Sequence, residues 1–363
     1  VLAVGVGGVQ HPVGAVPNRP TSWHLASNGA DLVIVAHRSL LSALEPLRAL
    51  RESQGLKVAV VDVESVFDEF AFGVKGPQAI RDLLAHAKAT WTRPPRYLLL
   101  AGDASYDPRN YLYGYADLVP TKLVDIVYME TASDDWFADF DSDGIADLAV
   151  GRIPVQSAAE AATVVGKLVT YDGGPQFGRV LLLADANDED NDFEGLSAQV
   201  KAVLPGKVYV SEVLRGQVGD AAAKSELASQ LIHGQTLVNY LGHGSIAMWH
   251  GNLLTAEEAR TLSNYYYPFV VSMTCLNGFF HDPHQESLGE GLLEGPGGAV
   301  AVWASSGLTE SKAQVTIDEA LIRLLFSGTT TLGDATKAAK AATSDMDVRR
   351  SWILFGDPTT KLR

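Results

Sequence analysis

Thr236-Leu237-Val238-Asn239-Tyr240-Leu241-Gly242-His243-Gly244-Ser245 and Pro268-Phe269-Val270-Val271-Ser272-Met273-Thr274-Cys275-Leu276-Asn277-Gly278 decide the fold. Each is an apolar run of strand length that stops at a turn containing glycine. The same pattern repeats outward: Asp31–His37, Lys57–Val63 and Arg96–Gly102 read as strands, with helical segments at Leu40–Gln54 and Pro77–Thr90 between them. Downstream, Arg179–Ala184, Lys207–Val213 and Ala299–Ala304 read the same way. Strand-length runs alternating with helices are the signature of βαβ units around a mostly parallel sheet, so the fold class is α/β.

The alternation lapses between Asp103 and Pro154, a Tyr-, Asp- and Pro-rich stretch long enough to suggest a functional or ion-binding loop. A helix over Ala158–Tyr171 then meets the breaker cluster Asp172-Gly173-Gly174-Pro175, which reads as a seam. The expected organisation is a lead-in at 1–30, an α/β subdomain at 31–174 and a second α/β subdomain at 175–363. Ligands of open α/β sheets bind beyond the carboxyl ends of the strands.

With 363 residues and 47% hydrophobic content, the chain can bury one large core or two ordinary ones. A net charge of −15 without clustered Lys and Arg argues against nucleic acid as a partner. No apolar run approaches the roughly 20 residues that a membrane-spanning helix needs. A single cysteine excludes an internal disulfide framework. The chain opens at Val1 with no signal-peptide pattern, which is expected of a mature form or an excised segment.

The two opening runs place His243 and Cys275 at strand carboxyl ends facing one crevice. A thiolate is the effective nucleophile, and a neighbouring imidazole can take the thiol proton, so the two form a nucleophilic pair. The backbone N–H groups of Gly244 and Cys275 are candidates for holding a developing oxyanion. Taken singly, a lone Cys is also an ordinary small core residue, and a His in a glycine-rich turn an ordinary surface one.

Asn239 through Ser245 and Cys275-Leu276-Asn277-Gly278-Phe279-Phe280 resemble the two catalytic motifs of the gingipain-type cysteine peptidases, in the same order. The 32-residue separation is similar to that family's and shorter than the about 50 residues typical of caspases. Leu98–Asp103, Asp147–Pro154 and Phe355–Thr359 extend the likeness over most of the chain. The resemblance implies a caspase-like fold of two α/β subdomains with mostly parallel central sheets flanked by helices. It further implies a secreted or cell-surface cysteine endopeptidase acting on proteins or peptides, with a propeptide or inhibitory segment as a further partner.

Several residue roles follow only from that likeness. The family carries an acidic residue that orients the catalytic His, which points to Asp185 first and Asp188 second. Asp192 falls where Arg-specific members bind a basic P1 side chain, and is equally a helix N-cap. Trp303 and Ser305 are expected at the wall of that subsite, with Trp303 open to a core reading.

Asp139, Asp141 and Asp143 before Gly144, with Asp147 beyond, alternate as calcium-binding carboxylates do. Val150 stands where an EF-hand needs its bidentate Glu, so the expectation is an irregular structural Ca2+ loop, with Asp134 and Asp135 as extra candidates. A plain acidic turn is the alternative, and family members do bind calcium. Catalysis itself needs no cofactor. His281, Asp282, His284 and Glu286 lack zinc-site spacing. Two other activities remain compatible with the sequence: a sortase-like transpeptidase using the same pair, and a non-catalytic calcium-stabilised binding module.

Overall fold

A computed structural model describes residues 21–175, 178–328 and 330–363, together with Gly5, Gly8 and Gly14. Most of the expected lead-in therefore lies outside the described residues. The strands are β1 (Leu32–Ala36), β2 (Val58–Asp62), β3 (Tyr97–Ala101), β4 (Lys122–Asp125), β5 (Glu130–Ser133), β6 (Ala149–Ile153), β7 (Arg179–Ala184), β8 (Tyr209–Leu214), β9 (Leu237–Leu241), β10 (Gly244–Ser245), β11 (Met248–Trp249), β12 (Phe269–Met273), β13 (Ala301–Ser305) and β14 (Trp352–Phe355). The helices are α1 (Leu41–Ser53), α2 (Val63–Ala71), α3 (Pro77–Thr90), α4 (Ala158–Asp172), α5 (Phe193–Val203), α6 (Arg215–Val218), α7 (Asp220–Ile232), α8 (Ala256–Arg260), α9 (Leu288–Glu294), α10 (Ser311–Phe326), α11 (Leu332–Lys340) and α12 (Met346–Ser351).

Ten strands form one sheet in the order β2-β1-β3-β6-β14-β13-β12-β9-β7-β8. Neighbours pair in parallel throughout, except β13 with β14. Strands β1, β3, β6, β9, β12 and β13 are buried along their whole length, as expected of strands covered by helices on both faces. In β1, Leu32, Ile34 and Ala36 feed one apolar core while Val33 and Val35 feed the core on the other face. The first core continues through β7, β9, β12 and β13, across the expected seam at Asp172-Gly173-Gly174-Pro175. The two halves of the chain thus share one sheet, joined at the single pair Phe355 and Arg152.

Two strands of that sheet were hidden in the sequence. Strand β6 sits inside the stretch read as irregular, because its interior residues Gly151 and Arg152 break the apolar pattern. Arg152 is nevertheless fully buried, held by Asp134 through Nε and Nη2 at 2.6 and 2.8 Å. The short β14 follows α12 directly and runs against β13. Beyond it, Asp357 anchors the terminal turn to buried Arg51 of α1 at 2.6 Å, and Arg51 also pairs with Asp172 at the end of α4. The described helices include none long and apolar enough to cross a membrane.

Candidate active site

Strands β9 and β12 lie side by side in parallel with Leu241 opposite Met273. His243 and Cys275 each stand two residues beyond that last pair, so the register brings them to equivalent positions on adjacent strands, which run roughly 5 Å apart. Gly244 packs so closely on the neighbouring turn that an added Cβ would lie 2.7 Å from Thr274 Oγ1, which requires glycine there. After Cys275 the chain reverses sharply, with Leu276 in the left-handed region at φ 66°. The Cys275 N–H has no acceptor among the described residues, whereas the next amide, from Leu276, donates to Gly307 O at 3.2 Å.

Cys275 is partly buried, and the contacts of its thiol are to the loop after β13. Thr309 N–H donates to Sγ at 3.5 Å and Thr309 O accepts from it at 3.6 Å. Burial pushes the Cys275 thiol above its ordinary pKa, opposed by the Thr309 amide and reinforced by the nearby Glu310 carboxylate. A cleft of 310 Å³ lined by Val127, Tyr128, Thr309, Glu310, Asp345, Met346 and Asp347 opens beside this contact.

The imidazole of His243 is half exposed, and its Nε2 lies 2.7 Å from Asp188 Oδ2. That bond, with the Asp190 and Asn191 amides, holds the Asp188 carboxyl well below the usual range. Asp185, the first expectation for this role, sits elsewhere on the same residue. It is fully buried and accepts from the His243 backbone N–H at 3.1 Å, from Arg215 Nη1 at 2.5 Å and from His250 Nδ1 at 2.9 Å. As the first residue after β7, Asp185 stays within the protected sheet edge, while Asp188 lies on the exposed turn that reaches the ring.

His250 was not singled out in the sequence. Its ring stands 5.9 Å from that of His243, and nothing short of the fold marks it, since it arrives through the β10–β11 hairpin. Asn277 was quoted only as part of a motif, yet it is buried between the two turns. Asp192 caps α5 by accepting from Gly195 N–H at 3.0 Å, is exposed, and also takes Asn187 Nδ2 at 2.7 Å. The turn carrying Asp188 and Asp192 is tied to the thiol-side loop by Ser311 Oγ, which donates to Asn191 Oδ1 at 2.8 Å.

Trp303 and Ser305 do not line an open subsite. Trp303 is fully buried in β13 against Trp352, with rings 6.1 Å apart. Ser305, also fully buried, braces the following turn through Gly307 N and O at 3.1 and 3.0 Å. Both alternate inward because β13 is an interior strand, covered on both faces.

Carboxylate oxygens of Asp139, Asp141 and Asp143 come within 4.8 Å of one another, close enough to share one hard cation. Burial raises the pKa of Asp139, opposed by the hydrogen bonds that its carboxylate accepts from the amides of the following turn. Asp147 is not gathered with them; its Oδ2 accepts from Phe140 N–H at 3.3 Å. Asp134 and Asp135 are committed to Arg152 and to Lys340 Nζ, the latter at 2.6 Å.

Known proteins resemble this chain over most of its length. Gingipain R1 of Porphyromonas gingivalis is 24% identical over 372 residues, covering 96% of this chain but only 35% of its own length, so the chain spans about a third of that relative. Gingipain R2 of the same organism is 24% identical over 74% of the chain. Among solved structures, the Arg-specific cysteine proteinase gingipain R superposes with a TM-score of 0.76 at 19% identity, covering 95% of this chain and 80% of that one. The complex of Porphyromonas gingivalis RgpB pro- and mature domains gives 0.77 at 18% identity, covering 92% and 79%. These structures share the caspase-like α/β fold. The family profile described as Peptidase family C25 matches residues 25–363, and the chain belongs to that family.

Proposed function

We propose that the chain is a cysteine endopeptidase in which Cys275 attacks a scissile peptide carbonyl and His243 takes the thiol proton. The observation that carries this reading is the Leu241–Met273 register, which sets both residues at the same level beyond adjacent parallel strands. With Nε2–H donating to Asp188, the Nδ1 lone pair of His243 is left to act as base, a tautomer fixed by the carboxylate. Attack forms a carbon–sulfur bond and an oxyanion, for which the Cys275 N–H is the first donor and the Gly244 N–H the second. Collapse expels the amine with the proton from His243, and water then hydrolyses the thioester.

In the free protein the thiol donates to Thr309 O and accepts from Thr309 N–H, so its S–H must turn away from that carbonyl before His243 takes the proton. A basic P1 side chain is the preferred substrate feature, with exposed Asp192 as its carboxylate; relatives named Arg-specific support this. Asp139, Asp141 and Asp143 hold a structural calcium ion in this reading. A pro-segment partner, by analogy with the solved pro- and mature-domain complex, and a secreted or surface location complete the proposal.

The test is cleavage of a fluorogenic peptide library varied at P1, with calcium and reductant, comparing the wild type with Cys275→Ala. Cys275-dependent cleavage after Arg or Lys supports the whole reading. Cleavage after other residues removes Asp192 from specificity, and equal cleavage by Cys275→Ala overturns the mechanism.

A further inference from the structure

The turn that carries Cys275 and the hairpin that follows His243 are separate pieces of chain, and one buried side chain spans them. Asn277 is 1% exposed. Its Nδ2 donates to Ser245 O at 2.6 Å and faces Met248 O at 3.3 Å, so it holds the carbonyls at both sides of the β10–β11 turn. Its Oδ1 accepts from Ser272 Oγ at 2.8 Å, and Ser272 Oγ in turn accepts from Trp249 Nε1 at 2.8 Å. Trp249 lies in β11, and its ring stacks on Tyr240 of β9 at 4.4 Å. The Tyr240 hydroxyl closes the loop by donating to His243 O at 2.7 Å.

The backbone of Asn277 is fixed as well. Its N–H donates to Cys275 O at 2.9 Å and its carbonyl accepts from Gly289 at the start of α9, also at 2.9 Å. The side-chain amide therefore meets the imidazole hairpin and β12 while the backbone of the same residue meets the nucleophile turn and α9, and every hydrogen of the NH2 group points at a main-chain carbonyl. No apolar or acidic residue of similar size satisfies those carbonyls. An aspartate in its place would set a carboxylate against two carbonyl oxygens in a buried site.

We propose that Asn277 is a positioning residue that sets the separation and relative orientation of the Cys275 thiol and the His243 imidazole, a role that rests on those two residues acting as the catalytic pair. Asn277 touches neither the reacting atoms nor the substrate. It acts by holding the Ser245 and Met248 carbonyls, and with them the segment entered from His243, at a constant offset from Cys275. The left-handed Leu276 between Cys275 and Asn277 makes the strut short and stiff, because a γ-branched residue holds that conformation only where its neighbours enforce it.

The experiment is a double-mutant cycle on peptide cleavage, with rates normalised to reactive sites by titration with a thiol-directed inactivator. Wild type, His243→Ala, Asn277→Ala and the double variant are compared, with Cys275→Ala as the blank. The expected result is a kcat at least tenfold lower for Asn277→Ala with KM changed less than threefold, and a His243→Ala effect at least fivefold smaller in the Asn277→Ala background. Multiplicative effects, with the His243→Ala loss undiminished, overturn the proposal, since a merely structural residue lowers stability without altering what the imidazole contributes. If Asn277→Ala does not fold, Ser272→Ala takes its place in the cycle, because it removes the donor that orients Asn277 Oδ1 together with the acceptor of Trp249 Nε1 in the same chain of hydrogen bonds; it must show the same sub-multiplicative coupling to His243, and full multiplicativity there overturns the proposal. The catalytic-pair reading fails separately, through a His243→Ala variant as active as the wild type.

Discussion

His243 Nε2 lies 2.7 Å from Asp188 Oδ2, while Asp185, three residues earlier, holds the backbone N–H of the same histidine at 3.1 Å. One carboxylate thus addresses the ring and the other the main chain, and the two separate orientation of the imidazole from the integrity of its turn.

Asp188→Asn is expected to lower kcat/KM by about 10–100-fold while leaving the melting temperature nearly unchanged, because Asp188 is exposed and an Asn side-chain oxygen can still accept from the Asp190 and Asn191 amides, whereas the charge facing the ring is lost. Steady-state kinetics beside thermal denaturation check this. A variant with wild-type kcat/KM would remove Asp188 from the mechanism.

Asp185→Ala should instead cost stability. The substitution leaves the His243 amide without its acceptor and breaks the inward contact of Arg215, which keeps only the exposed Asp220; breaking a buried ion pair on one side costs up to roughly 3–5 kcal/mol. Urea denaturation measures the loss, and a change under about 1 kcal/mol would contradict the assignment. His250→Ala, which removes a half-exposed partner of the same carboxylate, is expected to cost far less.

Asp192→Asn keeps the cap of α5 but removes its charge. Selectivity for Arg over an uncharged P1 residue should then fall about 10–100-fold, the worth of a charged hydrogen bond of roughly 1.5–3 kcal/mol. Paired fluorogenic substrates give the ratio directly; an unchanged ratio with reduced stability would leave Asp192 a helix cap only.

Calcium should raise the melting temperature, and the added stability should grow with the logarithm of its concentration above Kd, reaching about 2.7 kcal/mol at a hundredfold excess. Asp139→Ala is expected to abolish that shift. Asp147→Ala should preserve it, since Asp147 stands apart from the other three carboxylates. Differential scanning fluorimetry with calcium and chelator tests all three proteins.

Stability should decline as pH rises through neutrality. Burial pushes the Asp318 carboxyl up to about 7, despite two hydrogen bonds from Asn239 Nδ2, and raises those of Asp103, Glu290 and Glu294 as well. Between the unfolded carboxylate pKa of about 4 and the raised folded values, the native state binds more protons than the unfolded chain, so the slope with pH is negative. Asp318→Asn should flatten that decline between pH 5 and 8, and a slope equal to the wild type's would refute the assignment.

The strand runs, the α/β class and the placing of His243 and Cys275 at strand carboxyl ends were legible in the sequence, because each is a local consequence of an apolar run that stops at a turn with glycine. The calcium-type alternation of Asp139, Asp141 and Asp143 is local for the same reason, and the three carboxylates do converge. What the tertiary structure alone decided is non-local. Strand β6 escaped notice because Arg152 is an apolar-layer residue only once Asp134 reaches it from 18 residues away. Sequence order favoured Asp185 over Asp188, but only the path of the turn after β7 determines which carboxylate meets the ring. Trp303 became core rather than pocket wall when β14 closed against β13 and placed Trp352 beside it. Asn277 and His250 acquired their partners through the β10–β11 hairpin, whose docking on β12 no periodicity records. A one-dimensional pattern specifies which face a residue prefers to bury; which side chain it meets there is determined by sheet order and register, and those are properties of the assembled fold.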